Sequence, residues 1–509
     1  MRALSLAALL AGPAFLTSPA WGSDRLTFTH LSTYETAVFD EGAAEIVVYS
    51  AQTQKLFVVN ADAGEVDVLD ISDPASPTKV NTLSTEAHGK GANSVAVHND
   101  LVAVAVVGPS KQEAGKVVFF DLDGNEKGAV PVGANPDMVI FTPDGAYALV
   151  ANEGEPSNDY INDPEGTVSV ITIADMTVRT ADFSGFESVP DGMRIVKPGS
   201  SVAADVEPEY IAVSADGSTA YVTLQENNGI AAIDVAKAEV TNLLGLGYKD
   251  HSQVPLDASN KDGGTNIKTW PVMGMYQPDS IVSFEAAGQT YLMTANEGDA
   301  KDYDGWSEET RVAKLTLDPA AFPNAAELQE PGSLGRLKTT TTMGDTDGDG
   351  DHDVIYAYGA RSFSIWSTGG ELVFDSGDDF ERVTAARLGR DFNSTNDEND
   401  KGDNRSDDKG PEPEALTVGK IGQRTIAFIG LERVGGVMAY DVTDPANAQF
   451  LGYHNNRDFS GNAEAGKAGD LGPEGLAFIP AAQSPSGKDL LVVANEVSGT
   501  TSIFEIVLN

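Results

Sequence analysis

Five times in this chain a Pro-Asp or Pro-Glu opens an apolar run, and each time a Glu follows 16 to 22 residues later. The pairs are Asp137 with Glu153, Glu209 with Glu226, Asp279 with Glu297, Glu414 with Glu432, and Glu474 with Glu496. The second carboxylate closes runs such as Ala-Leu-Val-Ala-Asn-Glu (148–153) and Val-Val-Ala-Asn-Glu (492–496). If each run is a hairpin, its first and last residues share one end, so each pair sits at one edge of its unit. Units repeated around an axis would turn the pairs into a ring of acid able to hold metal ions. Within that ring Glu153 and Glu297 are the candidates for a general base acting on metal-held water.

A second chemical signal is Asp345-Thr346-Asp347-Gly348-Asp349-Gly350-Asp351-His352-Asp353. Oxygen donors at alternate positions around a turn-forming glycine match a calcium loop, without the helix pair of an EF-hand. Asp345, Asp347, Asp349 and Asp353 would give side-chain oxygens and Asp351 its carbonyl; a solvated acidic turn is the plainer alternative. Arg361 and Arg405, beside acidic loops, are candidates for bidentate contact with a substrate phosphate, though each could equally pair with a neighbouring Asp. The six histidines lack metal-ligand spacing, which argues against zinc, and there is no Gly-x-Ser-x-Gly elbow, P-loop or Rossmann glycine run.

The elements that must position these residues are short β-rich runs punctuated by Gly, Asp, Asn and Pro. Met138–Phe141, an Asp-Gly turn, Ala146–Asn152 and Thr167–Ile173 form one unit, and 210–235 repeats it. Asp144-Gly145 and Asp216-Gly217 supply tight hairpin turns. Such units begin near residues 43, 92, 135, 207, 277, 352, 412 and 472. The reading is therefore all-β: a β-propeller of seven or eight blades, with eight favoured, and seven if the unit at 352–377 belongs to its neighbour. The last unit holds three strands, and Leu26–Leu31 stands alone, so the N-terminal strand is expected to close the ring. Three acidic insertions (154–166, 298–309 and 391–410) follow second strands; they read either as solvated loops or as further oxygen ligands above the channel.

Acids outnumber bases 77 to 33, a net charge of −44, which disfavours nucleic acid and anionic membranes as partners. Residues 1–22 read as a cleavable secretory signal, leaving 23–509 as one propeller domain in the periplasm or medium. No apolar stretch is long enough for a membrane span, and with no cysteine there is no disulfide or thiolate metal site.

Several stretches resemble the choice-of-anchor I family of extracellular propellers: Phe39–Val47, Asn152–Glu155, Asn296–Asp299, Gly344–Asp353, Tyr358–Ile365 and Asn393–Glu414. That family includes mesenchyme-specific cell-surface glycoproteins and bacterial proteins labelled atypical alkaline phosphatases. The resemblance implies an exported, calcium-associated propeller. The leading functional reading is a calcium-dependent phosphoester hydrolase, with Ca2+ in the acid mouth binding substrate phosphate. The alternative is a non-catalytic calcium-binding or matrix- and mineral-interacting propeller.

Overall fold

The structure, a computed structural model, describes residues 25–509; the signal segment expected at 1–22 lies outside the described residues. The chain is all-β and propeller-like. Seven four-stranded antiparallel sheets follow one another, and their first strands are Val47–Ser50, Gly91–His98, Pro136–Phe141, Pro208–Val213, Ile281–Ala286, Pro413–Ile421 and Pro473–Ile479. Each first strand lies against the first strand of the next sheet, and that of the seventh against that of the first. Leu26–Glu35 pairs antiparallel with Thr500–Leu508, the third strand of the seventh sheet, from Leu26 opposite Leu508 to Glu35 opposite Thr500.

Apolar layers fill the space between consecutive sheets, including the seventh and first, where Leu56 and Val58 meet Leu490 and Val492. Strands sandwiched in this way are buried on both faces. This is why second strands such as Ala148-Leu149-Val150-Ala151 are continuously apolar rather than alternating. The turns follow their sequence: Asp144 accepts from the Thr142 hydroxyl (2.7 Å) and the Ala146 N–H (3.0 Å), and Gly145 takes φ +70°. Asp216 and Gly217 repeat the arrangement.

The eighth unit expected near residue 352 is not a sheet of its own. Ser362–Ser367 is the third strand of the fifth sheet, pairing with Gln289–Asn296, and Leu372–Asp375 is the fourth, pairing with the third. Between second and third strands the chain leaves the sheet, and with the segment that precedes the first strand it builds a side cluster around Leu256, Trp270, Val312, Leu334, Leu337 and Ile355. The insertion at 391–410 also differs from a solvated loop: Asn393, Ser394, Asn396 and Ser406 are all buried.

Candidate functional site

A proline at the start of a first strand has no N–H to give the ladder, and the pairing register slips just after it. The slips fall between Pro136 and Met138, Pro208 and Ile211, Pro413 and Leu416, and Pro473 and Gly475. Asp137, Glu209, Glu414 and Glu474 sit in these bulges, released from the alternation of the strand. In the second sheet the same slip carries the neutral Asn93. Each proline lies opposite the residue just before the second-strand acid, or one further back: Asn152, Leu224, Leu431 and Asn495. The asparagines of the Ala-Asn-Glu endings bond to third-strand hydroxyls, as Asn152 does to Ser169 (3.0 Å) and Asn296 to Ser364 (2.8 Å). These bonds fix the strand end from which the following Glu projects.

The pairs converge. Asp137, Glu153, Glu209 and Glu226, together with Asp279, Glu414 and Glu474, line one cavity of about 290 Å³. Glu297, Glu432 and Glu496 join them at its margins. Oxygens of Asp279, Glu297 and Glu414 lie within 4.8 Å of one another, as do those of Glu45, Glu474 and Glu496, and those of Glu297, Glu412 and Glu432. Glu45 supplies the acid of the first sheet and was missed in the sequence because no proline precedes it; its only signal is an acid just before Ile46-Val47.

Charge compensation divides the well. Glu412 is fully buried, and Lys409, Arg433 and Arg405 hold its carboxyl below the usual range despite burial. Lys409 Nζ also lies 2.8 Å from Glu297 Oε1 and 3.2 Å from Glu412 Oε2, while Glu297 Oε2 accepts from Gln225 (2.9 Å). The Glu297–Glu412–Glu432 group is therefore met by the protein's own cations, and each Glu297 oxygen already accepts one hydrogen bond. Buried Lys301 pairs with Glu207 (2.7 Å), and Lys111 with Glu155. The second and third insertions thus bring cations as well as oxygens. Only Glu155 and Asp299 of the expected loop acids line the cavity, with Tyr303 beside them.

Around the ring, burial outweighs what compensation there is. Burial, then neighbouring carboxylates, pushes Glu45 up to about 8. Burial raises Asp137 to about 6, with Lys111 opposing and Glu155 adding to the rise. Burial first, and adjacent acids after it, hold Glu153, Glu209, Asp279, Glu414 and Glu474 well above the carboxylate range. Glu226 is raised by burial and Glu207, and Glu432 and Glu496 by burial against the pull of Arg433. One oxygen each of Glu209, Glu226, Glu414 and Glu474 is buried with no hydrogen-bond partner. A native protein does not leave such oxygens unpartnered without a cation, a proton or a water to meet them. An all-oxygen donor set with no His or Cys fits a hard divalent cation.

The two phosphate candidates are otherwise engaged. Arg361, 5 % exposed, pairs with Glu381 (2.7 Å) and donates to the carbonyls of Asp257, Ser406 and Asp408. Arg405 pairs with Glu412 and with Asp408 (3.0 Å). Both are spent on holding the third insertion, which leaves Lys111 as the one cationic side chain lining the cavity among the described residues. At the 345–353 loop, oxygens of Asp345, Asp347 and Asp353 fall within 4.8 Å of one another. Asp349 instead accepts from the Asp351 N–H (3.2 Å), and Asp353 from the Thr346 hydroxyl (2.6 Å). The loop is exposed and packs on 316–318, as in the bond from Asp318 N to His352 O (3.0 Å).

A choice-of-anchor I domain model matches residues 45–445. Gigasin-3a of Magallana gigas is 34% identical over 190 residues, covering 35% of this chain and 66% of its own length. The mesenchyme-specific cell surface glycoprotein of Strongylocentrotus purpuratus is 27% identical over 278 residues, covering 48% and 35%. The chain thus spans just under two thirds of the first relative and about a third of the second. Among solved structures, Kuenenia stuttgartiensis hydrazine synthase aligns over 92% of this chain and 97% of its own at a TM-score of 0.49 and 14% identity. A streptogramin B lyase aligns over 95% and 97% at 0.45 and 12%.

Proposed function

The chain belongs to the choice-of-anchor I family, and from that premise we propose that it is a cation-binding protein of the cell exterior. It is a seven-bladed β-propeller, its last blade completed by the N-terminal strand, with calcium held in the acid well on its axis. The relative named as a cell surface glycoprotein supports the extracellular placement. One observation carries the calcium reading. Among the described residues, four ring carboxylates keep a buried oxygen without a hydrogen-bond partner, while Lys111, Lys301, Lys409, Arg405 and Arg433 pair with Glu155, Glu207, Glu297, Glu412 or Glu432. Asp279, Glu414 and Glu474, with Glu45 and Glu496, form the core of the site. Asp345, Asp347 and Asp353 form a separate, structural calcium loop. This geometry supports binding of cations further than phosphoester hydrolysis, because the guanidiniums that would hold a phosphate are engaged.

Calorimetric titration with calcium near pH 8 tests the reading. Asp279→Asn combined with Glu414→Gln should remove the well ions and leave the loop ion in place, and Asp347→Asn should do the reverse. In chelator the double well variant should melt higher than the wild type, since it relieves repulsion, and in calcium lower. Unchanged calcium binding by the well variant would refute the assignment. Turnover of a chromogenic phosphomonoester that needs both calcium and Glu153 would restore the hydrolase reading.

A further inference from the structure

Beside the acid well, the space between the first strands turns apolar. A second cavity of about 430 Å³ lies there, and no Asp, Glu, Lys or Arg lines it among the described residues. Val48, Val97, Ile140, Val282 and Leu476 line it, each from a different sheet. Each packs against an apolar layer between sheets yet stays only half-buried, so aliphatic surface is left facing the cavity. The well and this cavity adjoin, since Ile46, Ser94, Met138 and Tyr210 line both. The third sheet gives the length. Its first strand carries Asp137 at the well, and the apolar cavity reaches Thr142 and Pro143 beyond the other end. That span is roughly 17 Å at about 3.4 Å per residue. At the acid end, Glu226 lines the well while only 6% exposed, and its Oε2 has no hydrogen-bond partner.

We propose that the two cavities together bind a cationic amphiphile, its ammonium head among the well acids and its alkyl tail between the first strands. An ammonium brings both the charge and the N–H donors that the buried carboxylate oxygens lack. An aliphatic tail takes the half-exposed aliphatic side chains out of water, a driving force that grows with each methylene. An apolar concave lining with a few polar groups at one end is the common form of a ligand pocket, the polar end fixing orientation. An anionic head is disfavoured. Acids crowd that end, and Lys111, the cation that lines it, is paired with Glu155 (2.5 Å). The proposal stands on the charge of the well and not on calcium being its resident ion. Head and calcium seek the same oxygens, so each should displace the other.

Calorimetric titration of the wild type with dodecylamine, below its micellar concentration and near pH 8 in EGTA, tests this. One molecule should bind per chain, roughly a hundredfold tighter than butylamine, which has the head without the long tail. Dodecanoate, with a similar tail and an anionic head, should not bind. Millimolar calcium should weaken dodecylamine binding, and in EGTA so should the double well variant. Val97→Phe combined with Val282→Phe fills the apolar cavity from two sheets. It should bind dodecylamine roughly tenfold more weakly, and unchanged calcium binding would report that it folds. The arms in EGTA need no calcium, so failure of the calcium reading leaves them intact. Dodecylamine binding no tighter than butylamine overturns the proposal, as does equal binding of dodecanoate in EGTA or undiminished dodecylamine binding by the Phe variant. Dodecanoate bound in calcium, with no dodecylamine bound in EGTA, would mean a calcium-bridged anionic head and overturn it too.

Discussion

In a chelating buffer the protein should melt lower at pH 8.5 than at pH 6.5, and millimolar calcium should erase the difference. Glu45 and the other uncompensated ring acids have folded-state pKa values above their unfolded ones. The native state therefore binds more protons than the unfolded chain. Stability present below the unfolded pKa is lost as pH rises through the folded value, near 8 for Glu45. Two groups act in the opposite sense at lower pH. Buried His251, depressed to about 3, destabilises the native state below its unfolded pKa, and Glu412 acts likewise further down. Starting at pH 6.5 leaves both effects nearly complete. Each unit of elevation is worth about 1.4 kcal/mol. Several coupled carboxyls then lose several kcal/mol, a fall of roughly 5–10 °C. Calcium at about a hundred times its Kd returns about 2.7 kcal/mol per site. Differential scanning calorimetry in EGTA and in calcium checks this, and a melting temperature independent of pH in EGTA would show that the ring does not repel itself.

The second large effect is Lys409→Met. Lys409 is 8 % exposed and faces Glu297, Glu412 and Asp299. Removing it strands Glu297 in a buried setting, while Arg405 and Arg433 still serve Glu412. Loss of one partner from a buried ion pair costs about 3–5 kcal/mol. Glu297 also lies within reach of Asp279 and Glu414, so in the variant it becomes a free ligand of the well. The destabilisation measured by urea denaturation should be largest in chelator and shrink in calcium, with tighter calcium binding alongside. An equal loss in both conditions would mean that Glu297 does not face the ions.

Much of this site was legible because proline and the Asp-Gly turns act locally. Pro-Asp or Pro-Glu marks a bulge in four sheets and Ala-Asn-Glu a strand end, and packing of the sheets brings them together. The seven-sheet count was obscured by the chain leaving the fifth sheet after Asn296 and returning at Ser362. Short-range spacing therefore counted one sheet twice. The arginines' partners were only half legible. Arg361 meets Glu381, and Arg405 meets Glu412 around a turn; the sequence left pairing with a nearby acid open beside phosphate contact but did not say which acid. The same is true of Lys409, whose partner Glu297 is 112 residues away.

The most direct measurement is anomalous diffraction from crystals grown near pH 8 and soaked in manganese, a divalent stand-in with its own scattering edge. Radial gathering of remote carboxylates predicts a metal peak on the axis, ringed by Asp279, Glu414 and Glu474. Peaks confined to the 345–353 loop or the outer surface, with the axis holding only ordered water, would contradict it.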